Sequence, residues 1–82
     1  MRLIRRYTNR KLYDTRDSRY VTLEQLADFV RAGDDIRVVD NATDRDVTAA
    51  KLAQVIFEEE RRSPHLPVEA LRQIIRHGLP VE

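Results

Sequence analysis

The residues with the clearest chemical potential lie in one short stretch, RRYTNRKLYDTRDSRY, residues 5–20. It holds six cations, opposed only by Asp14 and Asp17, and all three tyrosines of the 82-residue chain. These residues are Arg5, Arg6, Arg10, Lys11, Arg16 and Arg19, with Tyr7, Tyr13 and Tyr20. Arginine and lysine neutralise phosphates, and tyrosine offers a rigid ring with a hydroxyl for phosphate or sugar. The stretch is therefore typical of a surface that binds a polyanion.

Two residue types in this stretch can also read base edges. Arginine matches the guanine edge and asparagine matches adenine, which makes Asn9 the best uncharged candidate for a base contact. A two-stranded β-ribbon carrying these residues fits the major groove of DNA. Two alternatives stay open. The tyrosines can be core residues that pack the sheet onto a helix while the cations are solvated, and RNA or a membrane surface would attract the same charges.

The charge of the chain is segregated along the sequence. The formal net charge is +1, but residues 1–20 carry +5, residues 21–60 carry −6 and residues 61–82 carry +2. Such polarisation can direct one end of a protein at a polyanion. The alternative is that the acidic stretch neutralises the basic one within the fold.

Enzymatic and metal-binding classes find little support in the composition. There is no cysteine, which excludes a disulfide framework or thiolate metal site and fits a reducing cytoplasm. His65 and His77 have no catalytic or metal-ligating partner at a recognisable spacing, and the acidic residues lack the EF-hand pattern. No apolar run is long enough to cross a membrane, and the N-terminus lacks a signal sequence. We therefore expect a cytoplasmic binding protein without catalytic residues, metal or cofactor.

The elements that position the basic stretch are predicted to form an α+β fold with a small antiparallel sheet. Residues 2–21 predict a β-ribbon, in which the first segment has arginines on both faces and is expected to be an edge or arm. Residues 36–40 and 45–47 predict two further short strands that form a hairpin.

Helices are predicted over 22–32, 48–62 and 67–77. The first should begin with a capping box at Thr22 and end at Gly33, with Leu26 on its apolar stripe. The second should be capped by Thr48. The third should begin with Pro67 as its first residue and end at Gly78 and Pro80.

The third helix has an apolar face without an obvious partner. Its members are Val68, Leu71, Ile74 and Ile75. We divide the chain into a body, 1–62, and a linker with this helix, 63–82. The helix can dock on a second copy of the chain or fold back onto helix 48–62. Self-association is favoured because the sheet is expected to cover the Leu52 and Ile56 face of helix 48–62.

Four motifs carry a family resemblance. They are Y-x-N-R-x-L-Y-D-T at 7–15, S-R-Y-V-T-L-E at 18–24, V-V-D-x-x-T-x-x-D-V-T at 38–48 and L-x-x-V-I-F-E-E-E at 52–60. Residues 4–60 thereby resemble the N-terminal DNA-binding domain of the bacterial polyhydroxyalkanoate (PHA) synthesis repressors. The resemblance implies an oligomeric repressor that binds double-stranded operator DNA at genes for granule-associated proteins and is released when polyester captures it. Members of that family continue with a further region after a helix like 68–77.

A rival interpretation makes the chain a granule-surface module. In that case the apolar face of residues 68–75 would bind polyester, and the arginines would only be solvated.

Overall fold

The computed structural model describes residues 1–78, in which three helices accompany a four-stranded sheet. The order along the chain is β1 (Arg2–Arg6), β2 (Leu12–Asp14), β3 (Arg19–Val21), α1 (Leu23–Arg31), β4 (Ile36–Asp40), α2 (Thr48–Arg62) and α3 (Val68–His77). The predicted α+β class is confirmed, and each predicted helix is present within one or two residues of its expected bounds.

The sheet is mixed, whereas the sequence predicted a purely antiparallel one. The strand order is β3-β2-β1-β4, and β1 pairs antiparallel with β2 but parallel with β4, where Ile4 lies opposite Val38. The parallel pairing is possible because the chain crosses over through α1 between these strands. The expectation that β1 is an edge or arm was wrong, since it has a partner on each side and Ile4 is fully buried.

The predicted strand at 45–47 is reduced to a single antiparallel bridge between Val39 and Asp46. The turn before it is built by Asp40, whose carboxylate accepts from the backbone N–H groups of Ala42 and Thr43, both at 2.9 Å. Asp44 adopts a left-handed backbone conformation with φ of 62°. Because these bonds fix the turn, the chain reverses without needing a longer ladder.

One hydrophobic core joins the sheet to α1 and α2. Its buried members are Ile4, Leu12, Val21, Leu26, Ala27, Ile36, Val38 and Val55. Side chains alternate between the two faces of a strand, and the strand members of this set all lie on one face. The other face of the sheet is left without a helix from this core, and it carries Tyr13 and Arg5.

The ends of α1 are those that the sequence predicts. The Thr22 hydroxyl accepts from the Gln25 N–H at 3.1 Å, and the Gln25 side chain accepts from the Thr22 N–H at 2.8 Å. This reciprocal pair is the predicted capping box. Gly33 follows the last turn with φ of +94°, a conformation that glycine adopts at low cost. Leu26 is fully buried on the core side of the helix.

We predict that Thr22→Ala lowers the unfolding free energy by about 1 kcal/mol, because one N–H of the first turn loses its acceptor. Urea denaturation measures the loss. Thr22→Ser keeps the hydroxyl and is the matched control. An alanine variant as stable as the wild type would show that water replaces the cap without cost.

The start of α2 corrects one prediction. Thr48 is the first helical residue and does not cap the helix; Val47 occupies the N-cap position. The Thr48 hydroxyl instead accepts from the N–H of Val38 at 2.8 Å, on the outer edge of β4. The Asp46 carboxylate accepts from the Thr48 N–H at 2.9 Å. The hydroxyl therefore fastens α2 to the sheet edge, and Asp46 satisfies a backbone donor at the helix start.

The last helix stands away from the core. Pro67 is the N-cap, so the helix begins at Val68, one residue later than predicted. Gly78 follows the last helical residue with φ of +72°. Pro80 lies outside the described residues. All four members of its apolar face are exposed: Val68, Leu71, Ile74 and Ile75. Ile56 of α2 is also 51% exposed, so the expectation that the sheet covers that face was wrong at this residue. None of the described helices has the length and hydropathy of a membrane span.

Candidate nucleic-acid interface

The three tyrosines form one aromatic cluster. Tyr13 and Tyr20 lie opposite each other on β2 and β3, with ring centroids 5.3 Å apart, and Tyr7 lies 6.3 and 6.4 Å from them. The rings meet edge to face, a favourable arrangement for aromatic pairs. The strand register places Tyr13 and Tyr20 on the sheet face opposite the core, and Tyr20 is 55% exposed. The alternative that the tyrosines pack the sheet onto α1 is therefore wrong for Tyr13 and Tyr20.

Cations border this aromatic face. The Arg5 backbone lies opposite Tyr13 on the neighbouring strand, and its guanidinium is 3.6 Å from the Asp44 carboxylate. The Lys11 ammonium lies 5.2 Å from the centroid of the Tyr20 ring, within the range of a cation–π contact. The face thus combines rings that can contact sugars or bases with charges that can contact phosphates.

The six predicted cations do not form a single patch. Arg10 and Lys11 lie in the β1–β2 turn at one end of the sheet, whereas Arg16 and Arg19 lie at the β2–β3 turn at the other end. Among residues 1–78, these four exposed side chains make no ion pair. Arg6, by contrast, is bound to Asp40. Two separate basic ends therefore flank the tyrosines.

Asn9 shapes the turn that presents Arg10. Its side-chain oxygen accepts from the Lys11 N–H at 3.0 Å, and the Arg10 N–H donates to the Tyr7 carbonyl at 2.9 Å. Arg10 sits at φ of 66°, a conformation uncommon for residues other than glycine and asparagine. Asn9 therefore has a local structural role, and its amide N–H₂ group stays the candidate for a base contact.

Arg2, outside the predicted contact set, organises the other end of the sheet. Its guanidinium donates to the fully buried carboxylate of Asp14, to Asp17 at 3.2 Å and to Asp34 at 3.1 Å. The same group lies 4.0 Å from the Phe29 ring centroid. Desolvation by burial disfavours the charged form of Arg2, but the hydrogen bonds to Asp17 and Asp14 favour it more strongly. The pKa of Arg2 is therefore raised.

The buried Asp14 carboxylate therefore has Arg2 as its direct countercharge, whereas Asp17 is half-exposed, is screened by water and keeps part of its charge beside the exposed cations. One sequence signal could have found this cluster: Asp14 follows Leu12 at the spacing of the buried strand face, where a carboxylate requires a cation.

Lys51 and Gln54 of α2 also lie outside the predicted set, and they face the basic β1–β2 turn across an open cleft. The cleft has a volume of about 430 Å³ and is lined by Arg6, Tyr7, Thr8, Arg10, Asp40, Lys51 and Gln54. Lys51 is only 8% exposed, and its ammonium donates to the Gln54 side-chain oxygen at 3.0 Å. Burial, Arg6 and Arg10 together lower the pKa of Lys51. The sequence contained one signal that could have identified Lys51: it lies four residues before Val55, within the apolar stripe of the helix.

Comparisons with known proteins place the chain in a family. Residues 3–63 match the family model described as the PHB/PHA accumulation regulator DNA-binding domain. An uncharacterised protein of Allochromatium vinosum is 46% identical over 76 residues, covering 92% of this chain and 50% of that protein. A protein of Thiocystis violacea described as an uncharacterised protein in the phbA 5′ region is 42% identical over 76 residues. The match covers 92% of this chain and 55% of that protein.

The chain spans about half the length of these curated relatives, and no solved structure matches it. The matched segment contains all of the sheet except Arg2, together with α1, α2 and the tyrosines and cations of the predicted contact set. The chain belongs to the family of PHB/PHA accumulation regulator DNA-binding domains.

Proposed function

We propose that this domain is the DNA-binding part of a transcriptional repressor and contacts double-stranded DNA with the tyrosine face and its basic borders. The observation that carries the proposal is the arrangement of exposed arginines and lysine, without ion pairs in the described chain, around three clustered tyrosines. Unpaired cations favour phosphates because binding releases condensed counterions. Family membership supports DNA as the polyanion.

Within this proposal the residues have different roles. Arg10 and Asn9 lie at the tip of the β1–β2 turn and are the candidates for base contact in the major groove. Lys11, Arg16 and Arg19 are phosphate contacts. Arg5 and Arg6 are near Asp44 and Asp40, so their contribution requires exchange of a carboxylate for a phosphate. The Tyr7, Tyr13 and Tyr20 rings position the sugar-phosphate backbone.

The regulated genes are proposed to be those of polyhydroxyalkanoate granules. The name of the Thiocystis violacea relative places that protein in the 5′ region of phbA. Under this proposal the whole regulator occupies its operator in the cytoplasm as a homo-oligomer, and growing polymer captures it and relieves repression. Polymer capture is assigned to the complete regulator, since the relatives extend well beyond the matched length.

A second candidate function is attachment to the granule surface without DNA contact. The exposed apolar face of α3 favours it, because an amphipathic helix can bury such a face in a polymer surface. Sedimentation with polymer particles, run beside a gel shift with promoter DNA, separates the two functions. Variants of α3 should affect the first assay directly, and variants of Arg10 should affect only the second.

A salt titration tests DNA binding. We predict that the logarithm of the association constant falls linearly with the logarithm of salt concentration, with a slope near −5 for a dimer that uses three cations per chain, at roughly −0.9 per contact. Fluorescence anisotropy with promoter DNA measures it. Random DNA of equal length is the control and should show weaker binding with a similarly strong salt dependence. Binding that is independent of salt would contradict the proposed interface.

A further inference from the structure

Lys51 is a buried cation without a countercharge. Its side chain is 8% exposed, and its polar partner among residues 1–78 is the neutral side-chain oxygen of Gln54. Among residues 1–78 it makes no ion pair. Lysines are almost never this buried unless paired, and even partial desolvation of the ammonium at the wall of the cleft is costly. The position therefore requires a reason beyond packing.

The surroundings of Lys51 increase the cost. Arg6 and Arg10 line the same cleft, and their charges act together with burial to lower the pKa of Lys51. The one carboxylate among the lining residues, Asp40, is already bound by Arg6 and by the N–H groups of Ala42 and Thr43. The Arg6 hydrogen bond and those N–H groups lower the pKa of Asp40 to about 2, so this carboxylate is anionic and fully engaged. The lining thus keeps an excess of two positive charges.

We propose that this cleft is a phosphate-binding site and that its occupant is a backbone phosphodiester of bound DNA. Lys51 and Arg10 supply the charge, and Gln54 and Tyr7 offer neutral polar contacts at the border. The inference rests on the DNA-binding function proposed above and assigns one phosphate to a built site at the interface. Phosphate oxygens accept charge-assisted hydrogen bonds, which are strong where the donors are partly desolvated.

The location agrees with a continuous DNA path. Arg10 and Lys11 also border a neighbouring cleft of about 370 Å³ that reaches Tyr20, and Lys51 lines both clefts. A strand that follows the tyrosine face to the β1–β2 turn would therefore pass the mouth of the Lys51 cleft. The helix α2 then takes part in the interface as well as supporting the sheet.

Lys51→Met tests the site because methionine keeps the apolar stem and removes the charge. A lysine held among like charges without an anion destabilises the fold, so this variant should melt at a higher temperature than the wild type. In contrast, its DNA affinity should fall about tenfold, as for loss of one charge-assisted bond, and its salt slope should weaken by about 0.9. If Lys51 had only a structural role, Lys51→Met would lower the melting temperature.

Inorganic phosphate is the second probe. At matched ionic strength, phosphate should raise the melting temperature of the wild type more than chloride does, and this difference should disappear in Lys51→Met. Arg10→Asn is the partner variant, because asparagine tolerates the left-handed turn and leaves the buried position intact. It should also reduce the phosphate response. Arg61→Ala, in the last turn of α2 and outside the proposed DNA surface, is the control and should leave that response unchanged.

The outcomes for the site and for the function are distinguishable. If the wild type binds DNA while Lys51→Met and Arg10→Asn keep its salt slope and phosphate response, the cleft assignment is overturned and DNA binding stands. If the wild type fails to bind DNA at low salt, the DNA occupant is overturned. In that case a phosphate response that depends on Lys51 would still identify an anion site, and its absence would reject the site as well.

Discussion

Asp14→Ala should lower the unfolding free energy by about 3–5 kcal/mol, the usual cost of removing one partner from a buried ion pair. The Asp14 side chain is fully buried and accepts from Arg2 and from the Arg16 N–H at 3.0 Å. Its loss leaves the Arg2 charge with fewer partners in the interior and a backbone donor unpaired. For a domain of 82 residues this is a large share of the total stability. Urea denaturation followed by circular dichroism measures the change.

Asp17→Ala is the matched control, because it removes another carboxylate of the same cluster. Asp17 is 3.2 Å from the Arg2 guanidinium but is 45% exposed, so its pair with Arg2 is screened by water. Its removal should cost about 0–1 kcal/mol. Equal small losses for the two aspartates would show that the Arg2 cluster is solvated and would contradict the buried pair.

A double variant separates charge from packing. Arg2→Met with Asp14→Leu replaces the pair with apolar side chains of similar volume, and such replacements are often neutral or stabilising. The double variant should recover most of the stability that Asp14→Ala loses. Little recovery would mean that Asp14 acts chiefly by holding the Arg16 N–H and the β2–β3 turn.

Local features of the fold were predictable because they are encoded over a few residues. The capping box at Thr22 and Gln25 and the left-handed Gly33 each depend on neighbours in sequence. The direction of β4 was not predictable in this way. A strand's alternation identifies its buried face but does not state whether its partner runs parallel or antiparallel, and Ile4 and Val38 are brought together only by the crossover through α1.

The candidate site was predictable in composition but not in arrangement. Residue types alone identified the tyrosines and the exposed cations. Their division between two ends of the sheet follows from the hairpin register, which a short basic sequence does not specify. Arg2 and Lys51 were missed because their importance comes from burial, and a charged residue in a sequence is first interpreted as solvated. Each occupies a position on an apolar face, which is the pattern that would have identified it.

The largest effect on DNA binding is expected from α3. Its apolar face is exposed, with Ile75 at 81%, and a second apolar surface lies open between α1 and α2. That groove has a volume of about 240 Å³ and is lined by Ala27, Val30, Arg31, Leu52, Val55, Ile56 and Glu59. The Glu60 carboxylate accepts from the His65 and Leu66 N–H groups at 3.0 and 3.1 Å, which fixes the path of the chain into α3. With the helix held away from the core, a second copy of the chain is the partner that we propose for these surfaces.

Leu71→Glu combined with Ile75→Glu should therefore convert a dimer into a folded monomer, because two carboxylates would have to be buried in the apolar contact. A two-fold dimer presents two binding surfaces to two half-sites, and loss of this bivalency should weaken operator binding by about 10²–10⁴-fold. Sedimentation measures the mass of the assembly, and fluorescence anisotropy measures its affinity for operator DNA. Gln73→Glu with His77→Glu adds the same charges at the same spacing on the opposite helix face and should preserve the dimer. A wild-type chain that sediments as a monomer at high concentration would contradict self-association through α3. Equal effects of the two double variants would show that the added charge, and not the apolar face, controls dimerisation.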